Sequence, residues 1–216
     1  MMRVALIHAL AHSVAPINAA FERLWPACTR MNLLDDSLSA DLAGSPHGLD
    51  ARMTGRFETL AGYVIGTGAQ GILFTCSAFG PCIDAVKRRW PQVPVLKPNE
   101  AMIDDALRAG RRIGLVASFA PTLASMPAEF PSDVRLHPVL AEGALDALNR
   151  GDTATHDRLV ADAAQSVAGE CDAIALAQFS LARAADAVSR RVAIPVLTTP
   201  DSAVRALRAR MEQATV

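Results

Sequence analysis

GILFTCSAFG, residues 71–80, and AIALAQFSLA, residues 173–182, are two copies of one pattern set 102 positions apart: a short apolar run, a polar residue, then small residues that open a helix. Two further pairs flank them. VPVLKPNEAMIDDALRAG, from Val93, matches IPVLTTPDSAVRALRAR, from Ile194, at an offset of 101, and VALIHAL, from Val4, matches IGLVASF, from Ile113, at an offset of 109. Three segments repeated in the same order mark two copies of a single lobe.

Apolar runs of strand length occur at Val4–His8, Thr29–Leu34, Ile72–Thr75, Val93–Leu96, Ile113–Ala117, Val134–Val139, Ala173–Ala177 and Ile194–Leu197. They are continuous and do not alternate, which is the pattern of strands covered on both faces. Helical patterns separate them at Arg52–Thr67, Ala78–Trp90, Glu100–Ala109, Ala141–Asn149, His156–Ala168 and Ser202–Gln213. Strand and helix in alternation predict an α/β fold of right-handed parallel layers. The expected architecture is two pseudo-symmetric lobes, each a parallel sheet flanked by helices: residues 1–98 plus 199–216, and residues 99–198, with the last helix crossing back onto the first lobe.

Composition narrows the function. The chain has 216 residues, 51% hydrophobic and 20% charged, with 21 basic against 22 acidic side chains and a net charge of -1. That excludes a disordered chain and argues against a nucleic-acid surface, which needs a basic excess. The run Val4–Ile7 is too short for a signal peptide or a membrane span, so a cytoplasmic protein that touches neither membrane nor nucleic acid is expected. The four cysteines, Cys28, Cys76, Cys82 and Cys171, have no metal-ligand spacing, and no metal site is expected.

In parallel α/β sheets ligands bind beyond the carboxyl ends of the strands. The residues that leave the strands there are His8, Cys76, Ser77, Lys97, Asn99 and Glu100 in the first lobe, and Ser118, Thr122, Gln178, Phe179, Ser180, Thr198 and Thr199 in the second. Cys76 lies between a strand end and a helix start, where unpaired N–H groups are expected to lower its pKa and make it a thiolate. The hydroxyls and amides are expected to bind substrate and stabilise charge that develops on oxygen. His8 is a second candidate base or an orienting group for Cys76, and His156, beside the cap residues Asp152 and Thr153, is a further candidate. His12, His47 and His137 have no context that suggests a role.

The paired segments GILFTCSAFG and AIALAQFSLA, the VPVL and IPVL strands and the chain length resemble the aspartate/glutamate/hydantoin racemase superfamily. The resemblance implies a cofactor-independent enzyme whose two lobes clasp a small carboxylate, such as an amino acid or a dicarboxylate, in the cleft between them. One cysteine per lobe works on the carbon that loses its proton, and a homodimer is a frequent arrangement. Carried over, the first cysteine falls on Cys76, followed by Ser77. The second falls on Gln178, whose neutral amide offers only hydrogen bonds. This departure leaves three readings open: a racemase or isomerase with Cys76 as acid and base, a one-cysteine decarboxylase or cis-trans isomerase of the same superfamily, or a small-acid-binding protein without catalysis.

Overall fold

The computed structural model describes residues 2–46 and 48–213; His47 lies outside them. Two four-stranded sheets, all parallel, form the framework. The first has the order β2-β1-β3-β4, with β1 Arg3–His8, β2 Thr29–Leu34, β3 Gly71–Phe74 and β4 Val95–Leu96. The second repeats it as β6-β5-β7-β8, with β5 Arg112–Ala117, β6 Arg135–Leu140, β7 Ala173–Leu176 and β8 Val196–Thr198. The helices are α1 Val14–Leu24, α2 Ser37–Gly44, α3 Ala51–Gly66, α4 Gly80–Arg89, α5 Glu100–Ala109, α6 Ala120–Ser125, α7 Ala144–Asn149, α8 Thr153–Ala168, α9 Ala185–Ser189 and α10 Thr199–Gln213. The expected α/β fold of two parallel sheets with flanking helices is what the chain adopts.

The chain divides into two compact units, one of residues up to Pro98 together with those from Ala203 onward, the other Asn99–Ser202. Each gives a helix to the other's sheet. α5 follows β4 but packs Met102, Ile103 and Ala106 among the apolar residues of the second sheet. α10 follows β8, and its Leu207 and Met211 lie against Gly71 of the first, where a Cβ would come within 2.5 Å of the Met211 sulfur. This exchange is why VPVL-plus-helix repeats as IPVL-plus-helix. The core of the first unit stacks Phe57 on Phe74 and sets Phe79 against it at a tilt, with ring centroids 5.3 and 4.9 Å apart.

Several boundaries differ from expectation for local reasons. The helix expected over Ala78–Trp90 is a 3-10 turn, Ser77–Phe79, followed by α4. α8 begins at Thr153, not His156, because the Asp152 carboxylate accepts the Thr155 N–H at 3.1 Å and caps it. α10 begins at Thr199, not Ser202.

The repeat extends to a side-chain clamp at the start of each central strand. Gln70 accepts the Arg3 N–H at 3.2 Å. Asp172, 102 residues later, accepts the N–H groups of Arg111 and Arg112 at 3.0 Å each, and also pairs with the Arg112 guanidinium. That guanidinium and the backbone donors hold the Asp172 carboxyl down to about 2, against 3.8 for an unperturbed aspartate. Gly110 is required beside it, since a Cβ there would overlap the Asp172 side chain. A carboxyl with a depressed folded-state pKa contributes stability that is present above the unfolded value and lost as the pH falls toward the folded one. Chemical denaturation between pH 4 and pH 2 is therefore expected to show falling stability, and in Asp172→Asn that dependence should be shallower. Equal slopes in the two proteins would remove Asp172 as its source.

Candidate active site

Cys76 leaves β3 directly after the fully enclosed Phe74 and the buried Thr75. A narrow recess beside it is lined by Ile7, His8, Ala9, Leu38, Phe57, Phe74 and Cys76, and is too tight to admit a water molecule. Parallel pairing sets His8 against Leu34 and carries Asn32 alongside β1. The His8 Nε2 lies 3.0 Å from the Asn32 Oδ1, which also accepts from the Asn18 amide at 2.9 Å. An acceptor at Nε2 makes that nitrogen the donor, so Nδ1, 2.9 Å from the Thr75 hydroxyl, is the acceptor. Burial pushes the His8 pKa down, only partly offset by the Asn32 bond, and the ring is neutral at pH 7.

His8 is thus a bracing residue. It is fully buried with both nitrogens bonded, so the expected contact with substrate is replaced by a hold on Thr75, the residue before Cys76. The corresponding positions of the second unit are Ala117 and Ala177, and they carry no such network.

The expected low pKa of Cys76 is corrected. Burial pushes its thiol above the usual 9.0, while hydrogen bonds from the Ala78 N–H and the Ser39 hydroxyl pull it back only in part. Its N–H donors come from a single 3-10 turn, not from the first turn of a long helix, and enclosure by apolar neighbours outweighs them. Ser39 had no sequence signal, since α2 reaches the site only through the β2–α2 connection. Its hydroxyl donates to the Ala9 carbonyl at 3.0 Å and is also within hydrogen-bonding reach of the Cys76 sulfur. One proton serves two acceptors, and an ionised sulfur would claim it. In Ser39→Ala the pH midpoint of Cys76 alkylation, read by mass spectrometry, should move upward from the wild-type value, and Ser39→Thr should restore it. An unmoved midpoint would show that the hydroxyl serves only Ala9.

In the second unit Gln178 occupies the position that matches Cys76. Its Oε1 accepts the Ser118 N–H at 2.7 Å and the Ser118 hydroxyl at 3.1 Å. Gln178 and Ser118, two expected site residues, are therefore joined at the ends of β7 and β5. Ser180 is partly buried nearby, on the 3-10 segment Phe179–Ala184, and Ser77 is partly buried next to Cys76. Thr122 is buried within α6. Asn99 is almost wholly buried, with an amide nitrogen that finds no partner among the described residues.

Two other expectations are corrected, and a further strand-end residue is engaged elsewhere. Phe179 is 3% exposed, because the 3-10 turn after β7 directs it inward, and it offers no face to a ligand. His156 is fully buried on the inner side of α8 with its Nδ1 2.7 Å from the Asp157 carboxylate, which Arg183 holds at 2.8 Å. That pairing makes it part of a structural chain. Lys97 is tied to Asp84 at 2.7 Å and is not left for a substrate carboxylate. Among the described residues no group of three or more His, Cys, Asp or Glu is placed to hold a metal ion, and no helix is long and apolar enough to cross a membrane.

The family model for Asp/Glu/hydantoin racemases matches residues 17–207. No curated protein sequence matches the chain. Among solved structures, an aspartate racemase homologue from Pyrococcus horikoshii superposes with a TM-score of 0.74 at 15% identity, covering 98% of this chain and 100% of its own. Allantoin racemase from Klebsiella pneumoniae gives 0.70 at 16% identity, over 99% and 89%. Unliganded arylmalonate decarboxylase gives 0.67 at 20% identity, over 98% and 92%. At such identities the likeness is one of fold.

Proposed function

Because the chain belongs to the Asp/Glu/hydantoin racemase family, we propose that it is a cofactor-independent enzyme acting at the carbon next to a small carboxylate, with Cys76 as its acid and base. The observation that carries this reading is the thiol itself: Cys76 ends a central strand, is braced through Thr75 by a neutral buried histidine, and receives two hydrogen bonds that favour its ionised form. Proton removal beside a carboxylate moves an electron pair onto the carboxylate oxygens, giving an enediolate. Donors fixed in advance stabilise that charge, and Ser77 and the NH2 of Gln178, whose oxygen Ser118 holds, are of that kind. The Cys76 sulfur takes the proton and returns it to the same carbon.

A second reading is favoured by one observation. The resting sulfur is a thiol, because burial raises its pKa, and a thiol is a donor. In a one-thiol decarboxylation the bond to one of two carboxylates breaks, CO2 leaves, its electron pair becomes the enediolate of the remaining carboxylate, and Cys76 gives its proton to carbon. Incubation with small acids in heavy water, followed by proton NMR, tests both readings. Loss of the α-proton signal supports exchange, and loss of CO2 with one deuterium gained supports decarboxylation. If the panel contains the substrate and Cys76→Ser is as active as the native enzyme, the thiol is not the acid or base.

A further inference from the structure

We infer that the second unit carries a site for a small phosphate-bearing anion, in a groove between α8 and the segment from Arg183 to Arg191. Its whole lining lies within Asn99–Ser202, and none of it belongs to the candidate active site. The sequence builds the groove by helical spacing. On α8 the lining positions are 154, 157 and 158, and on the facing segment 183, 186, 187, 190 and 191, so each set recurs at three and four residues and makes one stripe. Alanine at 154 and at 187 keeps the space between the stripes clear of long side chains. The groove measures about 520 Å³, within the range of small-molecule sites.

Its charge says what fills it. Arg158, Arg183, Arg190 and Arg191 line it against two carboxylates, Asp157 and Asp186. Asp162, outside the lining, pairs with both Arg158 and Arg191 and still leaves the cluster positive. Exposed ion pairs add little stability, so packing does not explain four guanidinium groups around one groove. What the carboxylates do is aim donors. Asp157 takes the Nε and Nη2 of Arg183 at 2.8 and 3.2 Å, which leaves its Nη1 without a partner among the described residues. Asp162 takes the Nη1 of Arg158 at 3.0 Å and the Nη1 of Arg191, which leaves the Nε and Nη2 of both. The Arg190 guanidinium has no partner among the described residues. Planar forks held in place with donors to spare match the oxygens of a phosphate, which accept such groups in pairs. Arginines on both walls suit a ligand with two phosphates, and position 154 lies in the first turn of α8, whose positive end adds to the attraction.

The test is binding of inorganic pyrophosphate to the full chain, read by calorimetry at low ionic strength because salt screens such contacts. Arg190→Gln is the main variant, since that guanidinium holds nothing in the fold. It should weaken binding by about tenfold, as loss of a charged hydrogen bond does. Asp186→Asn, which removes a repelling carboxylate, should strengthen it. Arg88→Gln alters an exposed arginine of α4 in the other unit and should change nothing. Citrate should bind at least tenfold more weakly than pyrophosphate, and amide exchange should slow on pyrophosphate binding at 154–158 and 183–191. No detectable binding at millimolar pyrophosphate overturns the inference, as does an equal loss in Arg88→Gln and Arg190→Gln, which marks adsorption to any arginine. Citrate binding as tightly as pyrophosphate overturns the phosphate class. A Kd that moves in Cys76→Ser and not in Arg190→Gln would place the anion at the thiol, and the groove would then carry no site.

Discussion

Cys76→Ser is expected to lower deuterium exchange or decarboxylation by about 10²- to 10⁴-fold, the range over which a positioned acid or base contributes. The magnitude follows from chemistry. A serine hydroxyl is far less acidic than a thiol, so it neither ionises at pH 7 to take a proton nor releases one readily to a carbanion. Stability should change little, within about 1 kcal/mol, since the site is half-buried and the replacement keeps a donor and an acceptor; for a chain this long that is a shift in Tm of about 2–4 °C. Far-UV circular dichroism and a melting curve separate lost chemistry from lost fold. The raised pKa adds a sign to the pH profile. Were the thiolate the working form, exchange would climb with pH well beyond neutrality toward the elevated value, whereas a working thiol would give a rate that falls as the pH rises through it.

The repeat was legible because it is carried by short, continuous apolar strands whose order cannot be rearranged without losing burial on both faces. It reached as far as Cys76 and Gln178, the matching positions after β3 and β7. What was not legible depends on pairing between distant segments. Asn32 is anonymous in sequence, yet the register that sets His8 against Leu34 places its side chain on the imidazole. Ser39 is one hydroxyl in a polar stretch, SLSADLAG, and only the packing of α2 brings it to the sulfur. The Cys76 pKa lies on the other side of the free value for the same reason. A strand end followed by a helix start argues for a thiolate, but Leu38 and Phe57, from segments far away in the chain, enclose the thiol and reverse the balance. The sequence shows His156 only as a neighbour of the α8 cap, whereas its place on the inner side of the helix decides its role.

Gln178→Cys is expected to produce the second large effect, a change in stereochemistry. The native enzyme, with one thiol, should deliver its proton to one face, label one enantiomer in heavy water, and interconvert enantiomers slowly. The Gln178 amide cannot take a proton at any ordinary pH, and its Oε1 is committed to the Ser118 N–H and hydroxyl. A cysteine at 178 stands at the repeat-equivalent of Cys76 and supplies a second titratable sulfur at the end of β7. If that sulfur reaches the reacting carbon, racemisation monitored by chiral chromatography should rise at least tenfold over the native rate. The substitution also releases the Ser118 backbone N–H and hydroxyl, which become donors for the substrate's carboxylate or for the new thiolate. The double variant Cys76→Ser, Gln178→Cys isolates that sulfur: exchange that returns in it comes from position 178, and the enantiomer it labels tells which face of the carbon that position serves. If the native enzyme already racemises rapidly from both sides, a one-thiol site is untenable and another base must be acting. His8 is then the poorer candidate, since both of its nitrogens are bonded and its ring is fully buried.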